Sequence, residues 1–325
     1  MKLILLFGTH ALIEENVEFK NLGLVITDEQ HRFGVRQRGL LSSKGARPDV
    51  LVMTATPIPR TLAMILYGDL DISIIDELPP GRQKIDTYAV RRNLEERVNN
   101  FIIKEMRSGR QAYIVCPLVE ESENMDGIKS VTEQFEYYKE VFKDFNVAIL
   151  HGKMKPKEKD EIMTSFKAGE INALISTTVI EVGVDVPNAT IMVIENAERF
   201  GLAQLHQLRG RVGRGQFKSY CILKYEGNSD IIRQRMEIMQ KSSDGFVISE
   251  KDLELRGPGE FFGTRQHGVP EFKVANLFTD IEIMKKAIEA SKQILENDNS
   301  LFKEENLPLK QKIDKLFSSK EFNTI

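Results

Sequence analysis

No apolar run in this 325-residue chain approaches the ~20 residues needed to cross a bilayer, so no membrane-spanning helix is expected. The opening stretch carries a single charge and lacks a small-residue cleavage site. It reads as a buried strand over residues 2–7 rather than a signal peptide. Cysteine is nearly missing too. Cys116 and Cys221 stand far apart inside apolar runs and no CxxC pair occurs. That excludes a disulfide framework and a cysteine-built zinc site, and points to a reducing, cytoplasmic compartment. An excess of one charge sign is also lacking: the net charge is −3, which leaves only local arginines to hold a polyanion. Repeats at solenoid periods and low-complexity segments are absent. What remains, at 41% hydrophobic and 29% charged residues, is an ordinary globular composition long enough for about two domains and an appendage.

Three short apolar runs open the chain, each closing in a polar cluster: 2–7 before Gly8-Thr9-His10, 22–26 before Thr27-Asp28-Glu29-Gln30-His31, and 50–53 before Thr54-Ala55-Thr56-Pro57. Such runs suit strands buried on both faces of a parallel sheet, whose chemistry sits just past the strands' carboxyl ends. Leu78-Pro79-Pro80-Gly81-Arg82 then breaks any periodic element. Strand-like runs resume at 112–115, 147–150, 173–176, 191–194 and 220–223. Helix-like stretches at 93–106, 131–142 and 155–167 lie between them, a βαβ spacing. Past residue 228, helices are predicted over 231–240 and 281–295. Between these two helices lies a loop region, 244–268, rich in Gly, Pro, Arg and Glu, where Arg256-Gly257-Pro258-Gly259 reads as a stretch no helix enters. The Lys-rich end fits an amphipathic helix or a tail. The expected fold is therefore α/β, with parallel sheets flanked by helices, one partial (1–80) and one complete (83–226), and then a mainly helical region (228–325).

Adjacent carboxylates at a strand end, Asp28 and Glu29, can divide the work of ATP hydrolysis, the first holding Mg²⁺ and the second orienting the attacking water. An isolated pair of this kind is equally an acidic turn, so its company decides. One strand later, the hydroxyls of Thr54 and Thr56 can hydrogen-bond the acidic motif. In the second half, Ser176-Thr177-Thr178-Val179-Ile180-Glu181-Val182-Gly183-Val184-Asp185-Val186-Pro187 places hydroxyls and backbone donors where they suit a phosphate, and Asp185 can accept from a ribose or an arginine. In Gln207-Leu208-Arg209-Gly210-Arg211-Val212-Gly213-Arg214, Arg211 and Arg214 are three apart and share a face if helical. Two guanidinium forks there can stabilise a transferring phosphoryl group. Two glycines make a merely solvated helix a poor explanation.

In this order the segments resemble the second half of the superfamily 2 helicase motor, a pair of RecA-like domains with ATP between them. Asp28-Glu29-Gln30-His31-Arg32-Phe33-Gly34-Val35, Thr54-Ala55-Thr56-Pro57-Ile58-Pro59-Arg60-Thr61-Leu62 and Asp252-Leu253-Glu254-Leu255-Arg256-Gly257-Pro258-Gly259-Glu260 narrow the resemblance to the RecG family, as does Gly263-Thr264-Arg265-Gln266. The sister Mfd family shares the arrangement but carries Glu-Gln where this chain has Gln30-His31. The resemblance implies a cytoplasmic, monomeric, ATP- and Mg²⁺-dependent helicase on branched double-stranded DNA (forks and Holliday junctions), with single-stranded-DNA-binding protein as a partner. It assigns Asp28, Glu29, Gln30, His31, Arg211 and Arg214 to catalysis, with Asp28 on Mg²⁺. Thr54, Thr56, Gly183, Asp185 and Gln207 serve ATP binding and coupling, and His31 links the acidic and coupling motifs. Thr9, His10, Arg32, Arg60, His151 and Lys153 are its DNA contacts, mostly to phosphate as sequence indifference demands. In the family's translocation motif, Arg235 and Arg256 hold a helical hairpin while the loop with Gln266 moves.

No GxxxxGK(S/T) phosphate-binding loop occurs in the sequence. The expectation is a portion of a longer helicase, inactive as an ATPase by itself. A stand-alone DNA-binding fragment and a piece of an Mfd-like translocase are the alternatives.

Overall fold

The computed structural model describes residues 5–14, 16–29, 44–45, 48–57, 71–77, 79, 82–117, 126–177, 185–261 and 280–318. They fall into two compact units, Met1–Pro57 and Ile58–Ile325, each taken by itself below.

In the first unit, β1 (Leu24–Thr27) and β2 (Asp49–Val52) pair in parallel, Leu24 opposite Asp49 and Thr27 opposite Val52. The ladder runs one bond further at each end, from Asp49 N–H to Gly23 carbonyl (2.9 Å) and from Met53 N–H to Thr27 carbonyl (2.8 Å). The buried strand expected over 2–7 is not found in the described part: residues 5–8 pair with no strand, and Leu5 and Phe7 are 66% and 85% exposed. Among the described residues β1 and β2 bond only to each other. A single-turn 3₁₀ helix, His10–Leu12, follows.

The second unit is built on six parallel strands in the order β3-β8-β7-β4-β6-β5, namely β3 (Ile85–Val90), β4 (Gln111–Val115), β5 (Val147–Leu150), β6 (Ala173–Ser176), β7 (Ala189–Ile194) and β8 (Ser219–Lys224). The order reverses at β4, the switch point beside which such sheets place ligands. Alternate side chains go to opposite faces. Ala112, Ile114, Ala173, Ile175, Ile191 and Val193 pack under α1 (Glu95–Arg107) and α2 (Asp126–Val141), through Val98, Ile102, Met106, Tyr138 and Phe142. Tyr113, Val115, Leu174, Met192, Cys221 and Leu223 meet α3 (Pro156–Lys167), α4 (Leu202–Arg209), α5 (Asp230–Lys241) and α6 (Gly245–Phe261) on the other face. Helices α7 (Ile281–Asn297) and α8 (Leu307–Ser318) end the described chain.

The helix ends follow local chemistry. α1 has Glu95 and Glu96 in its first turn and Lys104 and Arg107 in its last, matching the helix dipole, and it stops before Gly109 at φ +79°. α3 starts with Pro156, and Glu158 accepts from the Lys155 N–H at 3.0 Å. Ser229 caps α5 by accepting from the Ile232 N–H at 3.3 Å.

Two sequence expectations give way in α6 and α4. α6 runs through Arg256-Gly257-Pro258-Gly259, expected as loop. Its earlier turns seat Ile248 and Leu253 in the core, which offsets the ~3 kcal/mol that a mid-helix proline costs. α4 ends at Arg209, with Gly210 as cap and Gly213 at φ +78°, so Arg211 and Arg214 lie on a loop beyond the helix rather than on one of its faces.

Candidate functional site

In the first unit the carboxyl ends of β1 and β2 stand side by side by register, and both motifs follow them directly. Asp28 is exposed and accepts the Glu29 N–H at 2.8 Å, while Glu29 turns the chain at φ +50°. Thr54 Oγ1 accepts the Thr56 N–H at 3.2 Å, a local turn that keeps both threonines beside the strand end. Thr9 is exposed and begins the turn closed by Leu12 N–H on its carbonyl at 3.0 Å, and His10 starts the 3₁₀ helix. Gln30, His31, Arg32, Arg60 and the His10 side chain lie outside the described residues.

At the carboxyl edge of the six-stranded sheet, His151 and Lys153 follow β5, and Thr177 follows β6 beside them, its N–H on the Leu150 carbonyl at 3.3 Å. His151 Nδ1 and Thr177 Oγ1 are buried without a hydrogen-bond partner. Burial, then Lys159 and Lys153, hold the His151 imidazole below its ordinary pKa. Buried polar atoms are almost always hydrogen-bonded, so two without partners at the carboxyl edge of the sheet mark it as a candidate site.

Further along the same edge, Lys224 Nζ donates to Glu195 Oε1 (2.8 Å) and Glu95 Oε1 (2.9 Å), and Tyr138 donates to Glu195. Burial alone would lower the Lys224 ammonium, but Glu195 and Glu95 hold it above the ordinary lysine value. A polar cavity of about 240 Å³ opens beside the cluster, lined also by Arg92, Gln134, Asn196 and Glu226.

The arginine loop is fixed by backbone that tolerates no added atoms. A Cβ on Gly213 would stand 2.8 Å from Ile85 Cγ1, and one on Gly215 would stand 2.4 Å from the Pro187 carbonyl. Arg82 Nη2 and Arg214 Nε both donate to the Gly210 carbonyl, at 3.0 and 3.3 Å. Arg214 Nη1 stands 3.7 Å from Asp185 Oδ1, a loose pair with 31% and 57% of the two side chains exposed. Gln207 is half-buried on α4 and Arg211 half-buried just past it. Gly183 lies outside the described residues.

The helical pair behind this loop is α5 and α6. Arg235 on α5 donates to the carbonyls of Glu198 (3.2 Å) and Phe200, fastening α5 to the turn that precedes α4. Arg256 is part of α6, its side chain outside the described residues, as is Gln266 altogether. Sequence reasoning missed Arg209, Arg82, Thr177 and the Glu195–Lys224 cluster as site residues. Arg209 and Thr177 sit inside motifs already quoted. Arg82 and Lys224 have partners 128 and 29 or more residues away, which no local pattern signals. Cys116 and Cys221 are buried and free, and burial pushes the Cys221 thiol up to about 12. No helix among the described residues is long and apolar enough to cross a membrane.

Residues 93–216 match the helicase conserved C-terminal domain, and residues 242–323 match the C-terminal part of domain 3 of the ATP-dependent DNA helicase RecG. The chain is 54% identical over 295 residues to an ATP-dependent DNA helicase RecG from Bacillus subtilis, covering 90% of this chain and 43% of that protein. It is also 54% identical over 318 residues to one from Synechocystis, covering 97% of this chain and 38% of that protein. It thus spans about two fifths of the length of these relatives. A solved RecG bound to a three-way DNA junction superposes at a TM-score of 0.65 with 48% identity, over 86% of this chain and 35% of that one. Mss116p, bound to ssRNA and AMP-PNP, shares the fold alone: TM-score 0.52 and 17% identity, over 89% of this chain and 58% of that one. The chain belongs to the RecG family and corresponds to the C-terminal portion of its members.

Proposed function

We propose that this chain carries the second motor domain and the translocation region of an ATP-driven translocase on branched double-stranded DNA, used in fork reversal, Holliday-junction processing, DNA repair and recombination. The observation that carries the reading is the arginine loop. Arg214 is held by a backbone that excludes side chains at Gly213 and Gly215, yet among the described residues its ion pair is a loose, solvent-exposed one with Asp185. A guanidinium so placed can exchange that carboxylate for a γ-phosphate at little cost, and arginines in that role raise phosphoryl-transfer rates by roughly 10³-fold or more. Arg211, Gln207, Gly183 and Asp185 serve the same nucleotide in this reading, and Asp185 is the one that stands within 3.7 Å of Arg214. In this reading Asp28 and Glu29 position the ion and the attacking water, with Gln30 and His31 continuing the motif and Thr54 and Thr56 relaying nucleotide state.

The acidic edge fits Mg²⁺. Asp28 offers one exposed carboxylate with one oxygen on the Glu29 N–H, a sparse donor set that suits an ion keeping its waters and phosphate oxygens. Bound there, the ion supplies neutralisation of phosphate charge. On the DNA side, Thr9, His10, Arg32, Arg60, His151 and Lys153 contact phosphates, supported by the unpartnered His151 Nδ1 and Thr177 Oγ1. Arg235 and Arg256 hold the hairpin, and Gln266 moves with the duplex. The functional division is 1–80, 83–226 and 228–325. The protein acts as a cytoplasmic monomer that meets single-stranded-DNA-binding protein at forks.

The test joins this chain behind the preceding portion of the Bacillus subtilis relative and measures ATP hydrolysis with and without a three-way junction. Junction-stimulated hydrolysis that Arg214→Ala lowers by roughly 10³-fold is the expected result. Unchanged stimulated hydrolysis in that variant refutes the arginine assignment, and no stimulation by any branched DNA refutes the function.

A further inference from the structure

Arg209 is one of the least accessible charged side chains of the second unit, 3% exposed, and no carboxylate is among its hydrogen-bond partners. Its guanidinium is satisfied in another way. Nη1 donates to the carbonyls of Met239 (2.9 Å) and Ser242 (2.8 Å), with Thr87 Oγ1 a longer 3.4 Å away. Those two carbonyls belong to the last turn and cap of α5, where a helix leaves its oxygens without partners and its dipole favours a cation. Nη2 meets His206 Nδ1 at 2.9 Å. A guanidinium only donates, so Nδ1 must accept and the imidazole must be neutral with its proton on Nε2. Burial, then Arg209 and Arg82, depress His206 to about 4, which agrees with that tautomer.

The next residue completes the arrangement. The Gly210 carbonyl receives Arg82 Nη2 (3.0 Å) and Arg214 Nε (3.3 Å). On two consecutive residues, therefore, a side chain grips the end of α5 and a carbonyl grips the arginine loop. We propose that Arg209 is a positioning residue that ties the arginine loop to the C-terminal end of α5, so that loop and helix shift together. Its use rests on the translocase reading: a change at the phosphates then reaches α5, and the helix α6 packed against it, through Arg209. Lysine cannot replace it, because a single ammonium lacks the planar fork that spans two carbonyls and a ring nitrogen.

Hydrogen exchange of the intact chain tests the link with neither nucleotide nor DNA present. The readout is the set of amides from Met239 to Ser242, with the β4 and β6 amides as an internal control. Arg82→Met, which removes one of the two donors on the Gly210 carbonyl, should speed exchange at 239–242 severalfold. Arg209→Lys should speed it about tenfold by itself, the scale of one charged hydrogen bond, and should abolish the added effect of Arg82→Met. A purely structural Arg209 would leave the two effects additive. His206→Phe, which removes only the Nη2 acceptor, should give the same loss of additivity in smaller measure and serves if Arg209→Lys fails to fold. Additive effects, or no effect of Arg82→Met at 239–242 in the otherwise unaltered chain, overturn the proposal. That failure would leave the junction-stimulated hydrolysis test untouched, and failure of the latter would leave the tie itself standing.

Discussion

At the amino-terminal edge of the six-stranded sheet the polar side chains close on one another. The Gln111 amide donates to the carbonyls of Ile171 (2.7 Å) and Phe166 and accepts from Asn188 Nδ2 (3.1 Å). Asn188 in turn donates to the Gly109 carbonyl (2.8 Å) and accepts from Arg110 Nη1 (2.7 Å), and Asn146 and Asn172 repeat the pattern before β5 and β6. At the carboxyl-terminal edge, His151 Nδ1 and Thr177 Oγ1 are buried with nothing to bond, and charge is gathered around Lys224. The first edge uses its polar groups within the fold; the second leaves two of them without partners. A parallel sheet explains the asymmetry, because ligands bind beyond the carboxyl ends of its strands and the opposite end is free to be closed. Thr190 Oγ1, near the start of β7, is a buried orphan on the wrong side of this division.

The comparison predicts the largest loss of stability where the carboxyl edge is itself closed. Lys224→Met strands Glu195, 7% exposed, as a buried carboxylate, and should cost about 3–5 kcal/mol in chemical denaturation. Adding Glu195→Gln to Lys224→Met should recover most of it. A single-variant cost below about 1 kcal/mol would mean the cluster is solvated and the edge open throughout. Because the Lys224 pKa is raised above the ordinary 10.5, its contribution is full below that value and drains away as pH rises through the raised one. A wild-type denaturation series from neutral to strongly alkaline pH should therefore decline more steeply than the same series in the double variant.

Gln111→Leu probes the other edge. It leaves two carbonyls and the Asn188 amide short of a partner, in a residue 1% exposed, and should cost about 2 kcal/mol with no change in DNA affinity. Weaker junction binding by the folded variant would contradict the assignment of this edge to stability alone.

How much of this the sequence disclosed depends on how local the cause is. β5 and β6 are legible to the residue, since Val147–Leu150 and Ala173–Ser176 are unbroken apolar runs. β3 was not, because Asp86 and Thr87 interrupt Ile85–Val90 at the sheet's half-exposed edge, leaving neither an unbroken apolar run nor a strict alternation. α6 was misread at Gly257-Pro258-Gly259, where packing by Ile248 and Leu253 overrides local preference. The acidic pair, the threonines and the arginine loop are contiguous and so visible as motifs. Arg209 is visible as a residue but not as a clasp, because its acceptors lie 30 and 33 positions downstream.

The smallest expected effect on stability is the most informative about the edges. Thr177→Val and Thr190→Val each exchange an unpartnered buried hydroxyl for a methyl of similar size, removing a desolvated polar group without stranding another. Both should leave the denaturation midpoint within about 0.5 kcal/mol of the unaltered protein, or raise it slightly. Binding to a three-way junction, followed by fluorescence anisotropy, should separate them. Loss of one hydrogen bond to DNA weakens affinity by about two- to tenfold, and only Thr177→Val should show it. If both variants bind as the unaltered chain does, the orphan at the carboxyl edge is an accident of packing like the one at Thr190. If both weaken binding, the edges do not differ in the way their hydrogen bonding implies. Only the split result ties the unpartnered polar groups of one edge to a ligand, because the two substitutions are chemically the same and differ in which end of the sheet they occupy.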